Sequence, residues 1–298
     1  MVIVENDGFK ISAFNIQIYG KTKASKETVM RQIVQIIRKY DIVLIQEIRD
    51  KSGNSVTQLI NQINSDGEPL YDYVISDRLG RTHSKEQYAF VYRKDGNRVV
   101  DDYQDEDAGD AFERPPFAVK FHCDKPALKD FVLVGIHIDK DDVLSEMNHL
   151  KLQHDVIKEK FNTDNILIMG DFNAACTYIS KKKLATSELR SEDFHWLIPD
   201  DADTTVGRTD CAYDRFVMTG DEFLRSLVPF SAKVVKFDDE LNLTNEEAKA
   251  VSDHYPIELS LRSDQTRDAD IEVESSSPCF NCCGLTHLCQ DFLKLFRK

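Results

Sequence analysis

The sequence predicts an α/β fold of two packed mixed β-sheets flanked by helices, and three observations carry that expectation. Short apolar runs of strand length recur from residue 9 to about residue 262. Segments of helical spacing stand between some of these runs but not all, which argues against strict βαβ alternation and a single parallel sheet. Four of the runs, AFNI, VLIQE, VGIH and ILIMGDFN, stop on residues able to bind a metal or move a proton, as the open edge of such a sheet would display them.

Taken in order, FKISAFNIQI (9–18) reads as a strand. SKETVMRQIVQIIRKY (25–40) has the spacing of an amphipathic helix with Ser25 placed to cap it, and DIVLIQEI (41–48) is a strand buried on both faces. VTQLINQIN takes helical spacing, YDYVIS and QYAFVYR read as strands, and FVLVGIHI (131–138) is a further apolar run. Helical spacing returns over 141–161, and strands are expected at 166–170, 213–218, 224–228 and 256–261. No internal repeat is present. Residues 1–262 therefore read as one catalytic domain, 263–277 (SDQTRDADIEVESSS) as an acidic, serine-rich linker, and 278–298 as a separate cysteine-rich, then basic and apolar tail.

With 298 residues, 41% of them hydrophobic and 30% charged, the chain can bury a large core. No segment approaches the roughly 20 apolar residues of a membrane span. The opening MVIVENDGFKISAF has acids where a secretory leader carries basic residues before an apolar stretch, so intracellular and secreted placements both stay open. A net charge of −14 excludes holding nucleic acid by global attraction, but not an enzyme that meets phosphate through a metal and a few arginines. The seven cysteines do not form an even framework. Cys176 and Cys211 flank candidate sites, and a single bridge between them suits an oxidising compartment. The tail's Cys279, Cys282, Cys283 and Cys289 fit S-acylation beside a basic membrane contact, a crowded zinc site, or no role.

The chemistry gathers at the ends of the runs: Asn15, Glu47, His137, Asp171 and Asn173, joined by Asp214 in CAYDR and by Asp253 and His254 in VSDHYP. Glu47, Asn15 and Asp253 offer hard oxygen ligands for a magnesium ion. Two histidines can divide proton work, one activating water and the other protonating a leaving oxygen, when acids fix their tautomers. Asp214 and Glu86 are the expected acids. His83, His122, His149, His154, His195 and His287 read as surface or packing residues.

SAFNIQIYGKTK, YDIVLIQEIRD, YVISDRLGR with KEQYAF, MGDFNAACTY, WLIPDDADTT, CAYDR and SDHYPIE follow one another in order. Together they resemble the deoxyribonuclease I family of the endonuclease/exonuclease/phosphatase fold. The KEQYAF and DYQD segments lie closer to its gamma (1-like 3) branch than to the pancreatic enzyme. The resemblance implies a four-layer α/β/β/α sandwich. It also implies a divalent-metal-dependent endonuclease, acting as a monomer on double-stranded DNA with low sequence specificity and leaving 5′-phosphate and 3′-hydroxyl ends. By position, Glu47 resembles the principal ligand for Mg²⁺ or Mn²⁺, with Asn15 and Asp253 beside it. His254 with Asp214 resembles the base pair, and His137 with Glu86 the acid pair. Asp171 and Asn173 are implied to hold the water, the metal or the phosphate. Arg49, Arg81 and Arg114, with Tyr178, resemble the residues that grip phosphate or enter the minor groove.

Departures from the family pattern are local. Ser84 stands where a tyrosine packs in the DNA groove, which predicts weaker DNA binding. Ile138, Asp139 and Lys140 replace a small hydroxyl residue and a nearby proline, which predicts an extra carboxylate beside His137 and slower turnover. For structural Ca²⁺, Asp203 and Thr205 remain at one implied site but Gly207 replaces a ligand. Asp110 remains at the other but Pro115 replaces a glutamate, so at most one well-formed site is expected. Phe117 stands where the actin-sensitive member has a small residue, which predicts no actin inhibition. Asn242-Leu243-Thr244 is a glycosylation sequon. Two other readings remain at this point: a phosphoinositide phosphatase or sphingomyelinase of the same fold, and an inactive nuclease-like module that binds DNA or protein.

Overall fold

A computed structural model describes residues 8–67, 70–107 and 109–263. The linker and tail read from the sequence lie outside these residues apart from Ser263, which bridges to Pro126. The strands are β1 (Phe9–Tyr19), β2 (Ile42–Ile48), β3 (Tyr71–Ile75), β4 (Gln87–Arg93), β5 (Asn97–Gln104), β6 (Phe117–Cys123), β7 (Asp130–His137), β8 (Ile166–Asp171), β9 (His195–Trp196), β10 (Asp214–Thr219), β11 (Lys233–Val234) and β12 (Ile257–Leu261). They form two six-stranded sheets, ordered β11-β12-β1-β2-β4-β3 and β5-β6-β7-β8-β10-β9. β1 with β2 and β7 with β8 run parallel, and the other neighbours run antiparallel.

Side chains alternate across each sheet and so build three apolar layers. Ile11, Ala13, Leu44 and Phe90 of the first sheet meet Phe121, Leu133, Met169 and Phe216 of the second. The first sheet's outer face, with Phe14, Val43 and Val91, is covered by α2 (Glu27–Ile37) and α3 (Asn54–Ile63), which follow a short α1 (Lys21–Ala24). The second sheet's outer face, with Val132, Val134, Ile166 and Ile168, is covered by α4 (Val143–Phe161). The result is the expected four-layer sandwich. Four short helices complete it: α5 (Lys181–Leu184), α6 (Asp221–Ser226), α7 (Phe237–Leu241) and α8 (Asn245–Val251).

Strand direction decides where the chemistry gathers. The C-terminal ends of β2, β7 and β8 reach the same edge as the N-terminal ends of the antiparallel β4 and β10. Polar residues far apart in sequence thereby share one rim.

Two local expectations fail. Residues 224–228 are not a strand: α6 occupies 221–226, Asn165 Oδ1 accepts from the Phe223 amide at 3.2 Å, and Leu227 alone bridges to Leu261. The spacing of Phe223 and Leu227 is helical, and the acids Asp221 and Glu222 suit a first turn. Ser25 does not cap the long helix either. It ends α1, its hydroxyl donates back to the Thr22 carbonyl at 3.0 Å, and α2 starts at Glu27 without a side-chain cap. Phe117 is buried between the sheets near Phe90.

Candidate active site

The rim is organised by sheet register. His137 on β7 pairs with Asp171 on β8, and Asp214 on β10 pairs with the same Asp171 from the other side. Gly170 lets β8 end there. Its φ is +129°, and a Cβ would stand 2.4 Å from the Ile136 carbonyl and 2.9 Å from the Gln46 amide. Gln46 belongs to the other sheet. Its buried side chain donates to Ile136 O at 2.8 Å and accepts from the Asp171 amide at 3.1 Å, so it fastens the two sheets at the site.

The first sheet contributes through a distortion. Asn15 lies within β1, not at its end, and a bulge follows it. Gln17, Ile18 and Glu47 take φ values of 42°, 50° and 59°, which for non-glycine residues cost on the order of 1–3 kcal/mol each. The distortion turns two amides onto the site: Gln17 N–H donates to Asn15 Oδ1 at 2.9 Å and Ile18 N–H to Glu47 Oε2 at 2.9 Å. Asn15 Nδ2 then donates to both Glu47 Oε1 (3.1 Å) and Asp171 Oδ2 (3.2 Å), joining the two carboxylates through one amide.

Both histidines turn Nδ1 to a carboxylate and Nε2 to Asp171. His137 Nδ1 lies 3.1 Å from Glu86 Oε2, and its Nε2 lies 3.4 Å from Asp171 Oδ2. His254 Nδ1 lies 2.8 Å from Asp214 Oδ2, and its Nε2 lies 3.5 Å from the same Asp171 oxygen. Burial alone would raise the Glu86 carboxyl; the His137 hydrogen bond and the Arg114 and Arg49 charges hold it below the usual glutamate range. Burial likewise opposes charge on His254, but Asp214 and Asp171 hold it well above the usual histidine range. Asp214 is fully buried, and its Oδ1 has no hydrogen-bond partner.

The remaining candidates divide. Arg49 Nη2 bridges Glu47 (2.9 Å) and Glu86 (3.2 Å), and Arg114 donates to the His137 carbonyl at 2.9 Å. Asn173, at φ 49°, donates its amide to Asp171 Oδ1 and its side chain to Ile138 O, each at 2.9 Å. Tyr178 stacks on Tyr213, with ring centres 5.1 Å apart, and Tyr213 lies beside His254. Asp253 is half exposed, 4.0 Å from His254 Nε2. Arg81 instead pairs with Asp110 at 2.7 Å. Asp139 accepts from the Asp141 amide at 3.2 Å, and Ile138 is buried under α4.

Several contributors were not read from the sequence. The Tyr88 hydroxyl accepts from His137 N at 2.9 Å, Thr204 Oγ1 accepts from Asp214 N at 3.2 Å, and Ser252 Oγ joins Asn15 O (2.6 Å) to His254 N (3.1 Å). Glu146 on α4 accepts from the amides of Glu113 (2.6 Å) and Asp139 (3.0 Å). Lys23 donates to Ile16 O and Val251 O at 2.8 Å, and burial lowers its ammonium to about 8 against the pull of Asp253 and Glu47. The only signals were adjacency, as for Gln46 before Glu47, and polarity within apolar surroundings.

The donor chemistry fits a hard divalent cation. Glu47 Oε1 and Asp171 Oδ2 are carboxylate oxygens drawn together by one amide donor, with Asp253 near and more exposed. Among the described residues no group of three or more His, Cys, Asp or Glu forms a metal cage. Such a set suits an ion that retains waters and takes one or two carboxylates. The implied calcium positions differ. Asp105 Oδ2 and Gln104 Oε1 are buried without hydrogen-bond partners, while Asp110 pairs with Arg81. Asp203 instead accepts from Thr205 N (3.0 Å) and Lys236 Nζ (3.1 Å), and Thr209, not position 207, turns its carbonyl to Thr205 Oγ1 (2.7 Å). Cys176 and Cys211 are bridged, with Cα atoms 5.9 Å apart, tying the loops after β8 and before β10.

The Endonuclease/Exonuclease/phosphatase family pattern matches residues 12–254. Deoxyribonuclease-1 of Bos taurus is 42% identical over 258 residues, covering 85% of this chain and 92% of that protein. Deoxyribonuclease-1-like 2 of Mus musculus is 44% identical over 255 residues, with the same coverage of 85% and 92%. Among solved structures, an endonuclease/exonuclease/phosphatase family protein from Leptotrichia buccalis superposes with a TM-score of 0.60 at 15% identity, over 85% of this chain and 99% of that one, a likeness of fold.

Proposed function

Because the chain belongs to the deoxyribonuclease I family, we propose that it is a divalent-metal-dependent endonuclease that hydrolyses double-stranded DNA with low sequence specificity. The observation that supports this most is the convergence of two carboxylate-anchored imidazoles on one Asp171 oxygen, 3.4 and 3.5 Å away. Two proton-handling groups on either side of one point are what in-line cleavage of a phosphodiester needs.

In this reading His254, oriented by Asp214, takes a proton from water at Nε2 as the water oxygen bonds to phosphorus. His137, oriented by Glu86, gives the proton at its Nε2 to the departing 3′ oxygen as the P–O bond breaks. The products are a 5′-phosphate and a 3′-hydroxyl. Asp171 and Asn173 hold the water and the phosphate between the rings, and Arg49 and Arg114 meet the phosphate's charge. Arg81 and Tyr178 lie farther along the DNA. Glu47, Asn15, Asp171 and Asp253 would hold a magnesium or manganese ion, which would supply positive charge against the phosphate.

The test is nicking of supercoiled plasmid by the full chain with Mg²⁺ and with EDTA. The expected result is metal-dependent nicks whose ends are ligatable without phosphate treatment. Failure to nick DNA, with release of phosphate from a phosphoinositide, would overturn the reading in favour of a phosphatase.

A further inference from the structure

We propose that Lys236 is a built-in cation that holds the 203–209 loop in place of a bound calcium ion. The sequence implied calcium at Asp203 and Thr205, and the donors present do not fit it. Asp203 Oδ1 accepts from Thr205 N at 3.0 Å and lies 2.9 Å from Thr205 Oγ1, while Oδ2 faces Lys236 Nζ at 3.1 Å. Both oxygens of the loop's central carboxylate thus face donors from the chain itself. The ammonium also lies 4.8 Å from the centre of the Tyr255 ring, an arrangement that favours a cation between carboxylate and aromatic face.

What the loop holds explains why a cation is useful there. Tyr255 N donates to Thr204 O and Val206 N to Asp253 O, each at 2.8 Å, and Thr205 bridges to His254. Thr204 Oγ1 accepts from the Asp214 amide at 3.2 Å. Lys236 precedes α7, so the ion pair ties that helix to the strip carrying Asp253 and His254. A tethered ammonium adds one positive charge without depending on free ion. A calcium ion would have to displace it and rearrange the threonine donors.

The experiment is thermal unfolding of the full chain in EDTA and in millimolar CaCl₂, for wild type, Asp203→Asn, Lys236→Met, Lys236→Arg and Lys236→Met with Asp203→Asn. This measures the loop and does not depend on the nuclease reading. In EDTA, Lys236→Met is expected to melt about 2–4 °C below wild type and Lys236→Arg close to wild type. Calcium should restore Lys236→Met, and adding Asp203→Asn should abolish that extra response. Two results would overturn the proposal. One is a wild-type calcium response that Asp203→Asn removes, which would mean calcium displaces the lysine. The other is a Lys236→Met protein indifferent to calcium, which would mean the loop is no cation site.

Discussion

The two histidine–carboxylate pairs meet at Asp171 with nearly equal distances, yet their surroundings differ. Glu86 shares its charge with Arg49 at 3.2 Å and Arg114 at 3.7 Å, and its side chain is 5% exposed. Asp214 is wholly buried, with one oxygen on His254 and the other on nothing. Burial opposes charge on both members, but the His137 hydrogen bond and charge, then Arg114 and Arg49, hold the Glu86 carboxyl low, and Asp214 and Asp171 raise His254. A pair bordered by guanidinium groups is suited to the side that meets phosphate, and an isolated pair to the side that meets water.

Removing either ring is the most drastic way to break the comparison. His254→Ala and His137→Ala are each expected to lower plasmid nicking by about 10²- to 10⁴-fold, the usual range for a general acid or base. The double variant should lose little more than the worse single one, because both act in one step. Full multiplication of the two effects would mean the rings act independently and the shared geometry is incidental.

Gly170→Ala strikes the residue row that both pairs share. A methyl group 2.4 Å from Ile136 O and 2.9 Å from the Gln46 amide cannot be accommodated without moving the strand end that carries Asp171. A loss of roughly 3 kcal/mol of stability is expected from overpacking and backbone strain, read as a lower urea midpoint, together with lost activity. Unchanged stability would show that the strand end is softer than its contacts indicate.

The pairs should also respond to pH in opposite directions. Glu86 is depressed in the folded protein, so its contribution is present above the ordinary glutamate value of about 4.3 and is lost as pH falls through its lowered value. His254 is raised, so its contribution is complete below about 6.5 and fades as pH rises through its folded value. Denaturant midpoints measured in EDTA from pH 3 to 9 should show wild type losing stability more steeply than Glu86→Gln in acid. They should also show it declining more than His254→Gln above neutrality. Parallel curves at both ends would remove the contrast.

How much of this was legible follows from where each residue sits. Glu47, His137 and Asp171 close apolar runs, so an abrupt polar stop marked them, and Gly170 marked the stop itself. Two packed sheets with helices outside followed from many strand-length runs and helices without strict βαβ alternation, and the four-layer order from the family resemblance. Gln46, Tyr88, Thr204 and Ser252 escaped because a single polar side chain in or beside a strand carries no hint of the backbone group it will meet. Lys23 escaped because nothing in GKTKAS marks a buried lysine. β5 (NRVVDDYQ) is an edge strand with charges on it, and β6 carries Lys120 and His122 within an otherwise apolar run, so neither stood out as a strand. The cation at Asp203 depends on a residue 33 positions away, a tertiary fact that no local pattern holds.

The smallest predicted effect tests whether the arginine-bordered pair is the DNA-facing one. Ser84 is exposed two residues before Glu86, and its hydroxyl lies 3.2 Å from Arg49 Nη1. Ser84→Tyr adds an aromatic face there and removes one claim on the arginine, so both consequences favour a bound phosphate backbone. Aromatic contacts of about 0.5–1.5 kcal/mol correspond to a KM for plasmid roughly 2- to 10-fold lower with kcat little changed. A lower KM would place this rim in the DNA groove and show that Ser84 weakens DNA binding there. An unchanged KM with altered kcat would mean that the hydroxyl acts through Arg49 on Glu86, placing the residue in the proton-handling pair and not on the DNA.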